Sequence, residues 1–376
     1  MRDVKNIVNI GTGDIIGNLC SAGFWFYLAI LITPESFGEL NYFISIAAIT
    51  SYCVLIGTQN TITVYVAKKI PIQSTFNFIS LVGAVAAFII LLLIFNRIDL
   101  GFLVFGYVLS NLAIGQILGK REYKDYMKYV LIQRILTPVL GLGFFFIFGI
   151  EYVIIGLALS YIVYSFRIAT DFKKIKINFS LLYSRKGFII NNYVVALSNT
   201  AHGQIDKLII MPILGAGLLG NYSLSLQIIT MMMILSSVIY KYLVPQEASG
   251  QNIRDVKRVL LLVGIGLTLI GFFIVPIILP LVFTEYTESI DAIRIMSLSF
   301  LPMTIARIYE SKFLALEKSR FLLIGTLISI SVLIPTMMLF GIWFEVLGIA
   351  ISFVISTIIQ VVYFLIVNRK WNFQQI

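Results

Sequence analysis

The stretch NTAHGQIDKLIIMPILGAGLLGNYSLSLQ, residues 199–227, contains the chain's one histidine, His202, and sets an acid and a base, Asp206 and Lys207, side by side just after it. Upstream and through it, Asn192, Ala196, Asn199, Gly203 and Asp206 recur at alternating four- and three-residue steps. That spacing is one face of an α-helix. An acid on such a face can bind or release a proton or a cation, and a histidine one turn away can tune it. Lys207 stands about 100° further round the helix, so it need not pair with Asp206 and is free to receive an anion such as a diphosphate. The plainer reading has Asp206 paired with a neighbouring helix, Lys207 reaching to the headgroups, and His202 packed as a neutral ring. A metal site is not expected, since no second histidine or thiolate stands at ligand spacing.

Other ionisable residues lie inside apolar runs. Asp14, Asn18, Ser21 and Trp25 share a face flanked by Gly11, Gly13 and Gly17. This is either a second polar wall with Asp14 as a coupling acid, or close helix packing through glycines. Arg134, Arg167 and Arg307 are similarly placed. Arginine suits a diphosphate because its planar fork makes paired hydrogen bonds and stays charged. Arg134, beside Gln133 and just before a Thr-Pro pair, is the leading candidate. Arg307 has Glu310 at i+3 and can form an internal ion pair instead. Arg167 and Arg294 sit near the ends of their runs, where snorkelling accounts for them.

The elements that must position these residues are membrane helices. Hydrophobic residues make up 59% of the chain and charged residues 12%, with a mean hydropathy of +0.97. Soluble domains average about 45–50% and about 25%. A spanning helix needs about 20 mostly apolar residues, and the chain holds enough for about a dozen. Candidate spans are 7–32, 37–59, 76–95, 100–118, 129–148, 152–169, 187–214, 218–244, 256–283, 290–314, 321–341 and 346–367. The basic N-terminus runs into an apolar stretch too long for a signal peptide, so it is read as a retained first helix. Cys20 and Cys53 both fall in apolar segments and imply no disulfide framework.

Charge sets the orientation. With the loops numbered alternately, one side collects nearly all the lysines and arginines, from Arg2 and Lys5 to Arg369 and Lys370. The opposite loops hold Arg97 as their only base, with Glu35, Asp99, Glu151, Glu285, Glu288 and Glu345. This bias puts both termini in the cytoplasm. It also accounts for the net charge of +10 without nucleic acid.

The connection 171–186 divides the chain into six-helix halves, 1–170 and 187–376. PESFGELNYFISIAAIT, from Pro34, falls against AGLLGNYSLSLQIIT, from Ala216, with Gly38 opposite Gly220. Both stretches follow an outer loop and open an even-numbered span. Such parallel repeats are related by an axis along the membrane normal, with a substrate site expected between the halves.

TPESFGELNYFISI, LIGTQNTITVYVAKK, QIDKLIIMPILGAGLLGNYSLS and FLALEKSRFLLIG together resemble the polysaccharide-transporter branch of the multidrug/oligosaccharidyl-lipid/polysaccharide exporters, and in particular the O-antigen flippase type. Asp206, Lys207, Gly220, Tyr222 and Ser223 match the family's acid–base pair late in helix seven and its Gly-X-Tyr-Ser start to helix eight. The resemblance covers essentially the whole chain. It implies an all-α membrane protein of about twelve helices in two lobes, V-shaped around a hydrated cavity and working by alternating access. The implied cargo is a sugar on a polyprenyl diphosphate, with membrane lipids around it and a polysaccharide polymerase or other assembly proteins as possible partners.

No GxxxxGK[ST] phosphate loop is present, and one histidine leaves no nucleophile–His–Asp set. The acidic TEYTES, 284–289, reads as a solvated loop. The expectation is therefore a secondary-active flippase, not an enzyme, without a cofactor but with H+ or Na+ as coupling ion. Arg134, Lys207, Arg307 and Asn199 would bind the cargo, and Asp14, Asp206 and His202 would couple it to a cation. The rivals are a small-molecule or drug exporter of the same superfamily and a membrane enzyme acting on lipid-linked sugars. A drug site would favour acids over buried bases, and an enzyme would need a sizeable outer loop.

Overall fold

The structure, a computed structural model, describes residues 2–172, 177–248, 253–316 and 318–370; side chains are described from Ile16 onward, except at 170–172, 241, 245 and 248. Every regular element among the described residues is helical. In chain order these are α1 (Arg2–Leu31), α2 (Pro34–Val54), α3 (Gln59–Ala67), α4 (Gln73–Phe95), α5 (Ile98–Gly119), α6 (Tyr123–Phe148), α7 (Val153–Ser160), α8 (Val163–Phe172) and α9 (Phe179–Tyr183). Then follow α10 (Lys186–Leu214), α11 (Ala216–Met232), α12 (Ile234–Ala248), α13 (Arg254–Leu269), α14 (Val275–Val282), α15 (Ser289–Ser297), α16 (Phe300–Ala315) and α17 (Ser319–Lys370).

Among the described residues seven helices are long and apolar enough to cross a membrane, and up to nine if each of two bent pairs is one span. The 52-residue α17 is one of the seven. Straight, it would run about 78 Å, more than twice a hydrocarbon core of about 30 Å. Glu345, at φ 51° and ψ −130°, breaks it between the expected spans 321–341 and 346–367. The α15–α16 pair bends by 42°. Pro302, three residues into α16, has no N–H to offer the carbonyl of Leu298, which explains the break there. By contrast, α10 is absent from the apolar set, although it covers the expected span 187–214. Its asparagines, His202, Gln204, Asp206 and Lys207 lower its hydropathy, as a helix bordering water would require.

The chain folds as two compact units, Met1–Leu28 with Phe43–Gln204, and Ala29–Tyr42 with Ile205–Ile376. In the first, α5 is the central helix and packs against α3, α4, α6, α7 and α8. Leu100, Leu103, Val104, Val108, Leu112 and Ile117 are fully buried along it. The α4–α5 turn is fixed by Asn96 in the left-handed region (φ 52°) and by Arg97. That guanidinium donates to both oxygens of Asp99, at 3.2 and 2.7 Å, and lies 4.2 Å from the centre of the Phe43 ring. Within the expected connection 171–186, residues 173–176 lie outside the described set. Asn178 caps α9, and its backbone N–H donates to Thr75 Oγ1 at 2.9 Å.

In the second unit, Tyr222, Met296, Phe300, Met337 and Ile349 form the centre of an apolar core drawn from α11, α15, α16 and α17. Gly215, at φ 93°, makes the turn from α10 into α11. At the other end, Lys257 Nζ and Ser311 Oγ each donate to Glu247 at 2.6 Å, and Lys312 Nζ donates to Asn368 at 2.9 Å. These bonds tie α12 and α13 to α16, and α16 to α17.

Candidate functional site: intramembrane charges and the polar face of α10

Asp206 is buried, at 5% exposure, inside the second unit. Tyr222, fully buried on α11, donates its hydroxyl to Asp206 Oδ2 at 2.7 Å, and the backbone N–H of Lys207 donates to Oδ1 at 2.8 Å. Lys207 Nζ stands 3.6 Å from the same Oδ1. The expectation that these neighbours need not pair is therefore corrected: an ion pair joins them. The 100° separation applies to the Cβ directions, whereas a four-carbon stem can fold back over one residue. Such a carboxylate has two hydrogen bonds and a cation, which compensates its burial.

In the first unit, Arg134 Nη1 donates to Ser21 Oγ at 2.7 Å. Its stem lies against α1 so closely that a methyl group on Gly17 would be 2.9 Å from Arg134 Cγ. Among the described residues no carboxylate lies within ion-pair distance of Arg134. Next to it, Gln133 Nε2 donates to Thr137 at 3.0 Å and Ser160 at 3.3 Å, a buried bond set that fixes α6 against α7. The side chain of Asp14 lies outside the described residues. Its position is one turn before Gly17 and two turns before Ser21 on α1.

Arg307 is the other arginine expected to bind an anion. It donates to Glu310 at 3.0 Å, with Tyr240's ring 5.2 Å away, so this arginine has an internal counter-ion. Arg167 is paired with Glu122. His202 is half-buried and Asn199 exposed. Asn192 donates to the carbonyl of Phe188 at 2.9 Å, while the Asn199 amide makes no hydrogen bond among the described residues. The sequence named Tyr222 and Ser21 only as motif or face residues. Spacing along one helix reveals nothing about partners on another, so their bonds to Asp206 and Arg134 were not foreseen.

Outside the spans, Glu288 accepts from Asn221 Nδ2 at 3.2 Å. Partial burial, then the nearby carboxylates of Glu345 and Glu35, raise its pKa above the usual carboxylate value.

The fold is shared with solved membrane transporters at low identity. One is a lipid II flippase MurJ in an inward closed conformation: TM-score 0.79, 13% identity, covering 96% of this chain and 87% of that one. Another is an inward-facing multidrug resistance MATE family transporter of the MOP superfamily: TM-score 0.73, 13% identity, covering 97% and 98%. No curated protein matches the sequence. With its long apolar helices and this fold, the chain is a multi-pass membrane protein that holds ionisable groups inside its spans. More narrowly, the chain belongs to the polysaccharide biosynthesis protein family, which matches residues 98–287, just over half of its length.

Proposed function

We propose that this protein is a flippase for a polyprenyl-diphosphate-linked oligosaccharide, an O-antigen or other surface-polysaccharide precursor, in the cytoplasmic membrane. The observation that carries the reading is Arg134. An intramembrane cation with no carboxylate partner among the described residues is costly, about 2.5–3.5 kcal/mol on insertion scales, and an anionic cargo supplies what it lacks. Its fork, held by Ser21, suits a diphosphate. Lys207 and Arg307 already face carboxylates, so they rank behind it. The repeats 1–170 and 187–376, joined through 171–186, would serve alternating access, with both termini cytoplasmic. Asp14, Asp206 and His202 are the groups for coupling to H+, Na+ or the membrane potential, and a polymerase or other assembly proteins would take the delivered lipid.

The test is reconstitution in liposomes with a fluorescent polyprenyl-diphosphate oligosaccharide, with and without a cation gradient or potential. Gradient- or potential-stimulated movement between leaflets is expected, and it should fall about tenfold or more in Arg134→Ala, the loss of one good charged contact. Turnover of the sugar, or export of a cationic dye with no lipid movement, would hand the protein to one of the rival readings.

A further inference from the structure

We infer that the face of α10 running through Asn192, Ala196, Asn199 and Gly203 is a track for the uncharged, hydroxyl-rich saccharide part of the cargo; this rests on the flippase reading. Asn199 is exposed and makes no hydrogen bond among the described residues. It lies 13 residues into α10, about 20 Å along the helix, which is well inside the thickness of a bilayer. An unpaired amide at that depth is not stable against hydrocarbon, so this face borders water or a polar ligand. On α1, Asn18 is likewise exposed and makes no hydrogen bond among the described residues.

Gly203 supplies a second, independent observation. A methyl group built there would meet nothing within 4 Å. The space a side chain would take there is open, in contrast to Gly38 and Gly220 in the other unit, where a methyl would collide with backbone at 2.0 and 1.8 Å. The face therefore alternates amide, small, amide, small, with open space beside the last small residue. Amides offer both donors and acceptors, which matches sugar hydroxyls. None of these four residues is charged. The acid at the end of the stripe, Asp206, is buried and held by Tyr222 and Lys207. A neutral sugar fits such a face better than a cationic one, which would call for an accessible carboxylate.

The experiment compares two fluorescent probes in liposomes: polyprenyl diphosphate bearing a neutral oligosaccharide, and bare polyprenyl diphosphate. Gly203→Leu puts a bulky apolar side chain into the open space beside the stripe, and Asn199→Leu removes the amide. Thermal unfolding of each variant checks the fold. The expected result is a fall of about tenfold or more in the ratio of sugar-bearing to bare lipid moved, with unfolding unchanged. An unchanged ratio, whether both probes slow together or neither does, overturns the saccharide track and leaves the flippase standing. If the unsubstituted protein moves neither probe, the flippase reading falls and takes the track with it.

Discussion

Gly38 and Gly220 bring the first turns of α2 and α11 into backbone contact. A methyl on Gly38 would lie 2.0 Å from the carbonyl oxygen of Ala216, and one on Gly220 would lie 1.8 Å from that of Pro34. Neither neighbour is a side chain that can swing aside, so alanine must push the helices apart. Gly38→Ala and Gly220→Ala should each cost about 1–3 kcal/mol, seen as a lower unfolding temperature in detergent. Gly203→Ala, with open space around it, serves as the control. An unchanged midpoint for Gly220→Ala would show that the close crossing is not formed.

These two glycines also show how far the sequence could be read. Aligning the halves set Gly38 opposite Gly220, and the structure packs the two against each other. The all-helical class followed from composition, and the break near Glu345 from where apolar runs stop. What was not legible was partnership across helices. Periodicity gave the polar stripe of α10 but not that Tyr222 would donate to Asp206 or Ser21 accept from Arg134. A rotation angle of 100° per residue suggested separate roles for Asp206 and Lys207, because it describes where side chains start and not how far a lysine reaches.

Glu345 occupies φ 51° and ψ −130° at the break in α17, backbone territory that suits glycine far better than a residue with a Cβ. Gly348 nearby faces the carbonyl of Phe340 at 1.9 Å from its would-be methyl, so the turn is too tight to relax. Glu345→Gly should raise stability by about 1 kcal/mol, the strain relieved less the added chain entropy. Glu345→Ala should give no such gain. Denaturation of the two variants side by side reads the difference directly.

The raised pKa of Glu288 has a definite sign. The folded protein holds this proton more tightly than the unfolded chain, so the contribution favours folding below the usual carboxylate range. It is lost as pH rises through the folded value. Glu288→Gln, which keeps an acceptor for Asn221, should therefore unfold about 1–2 °C higher than the parent at neutral pH. The small size reflects solvent screening at an exposed carboxylate. The advantage should vanish near pH 4. A constant offset across that range would assign the effect to packing and not to the titration of Glu288, whose pKa burial and the nearby carboxylates raise.

The Asp206–Lys207–Tyr222 set separates structure from coupling. Tyr222→Phe removes one hydrogen bond from a buried carboxylate and should cost about 1–3 kcal/mol. Lys207→Met leaves that carboxylate buried without its cation, and about 3–5 kcal/mol is expected. Asp206→Asn/Lys207→Met removes both charges together and should recover most of that loss, because the penalty of each single change comes from the charge left behind. Thermal unfolding of the three variants checks the cycle. The double variant then bears on transport. If Asp206 is the coupling group, lipid movement in the refolded double variant should no longer respond to a cation gradient, although the protein is stable. If the response persists, Asp206 is a structural partner of Tyr222 and Lys207, and the search for the coupling group moves to Asp14 on α1 and His202 on α10.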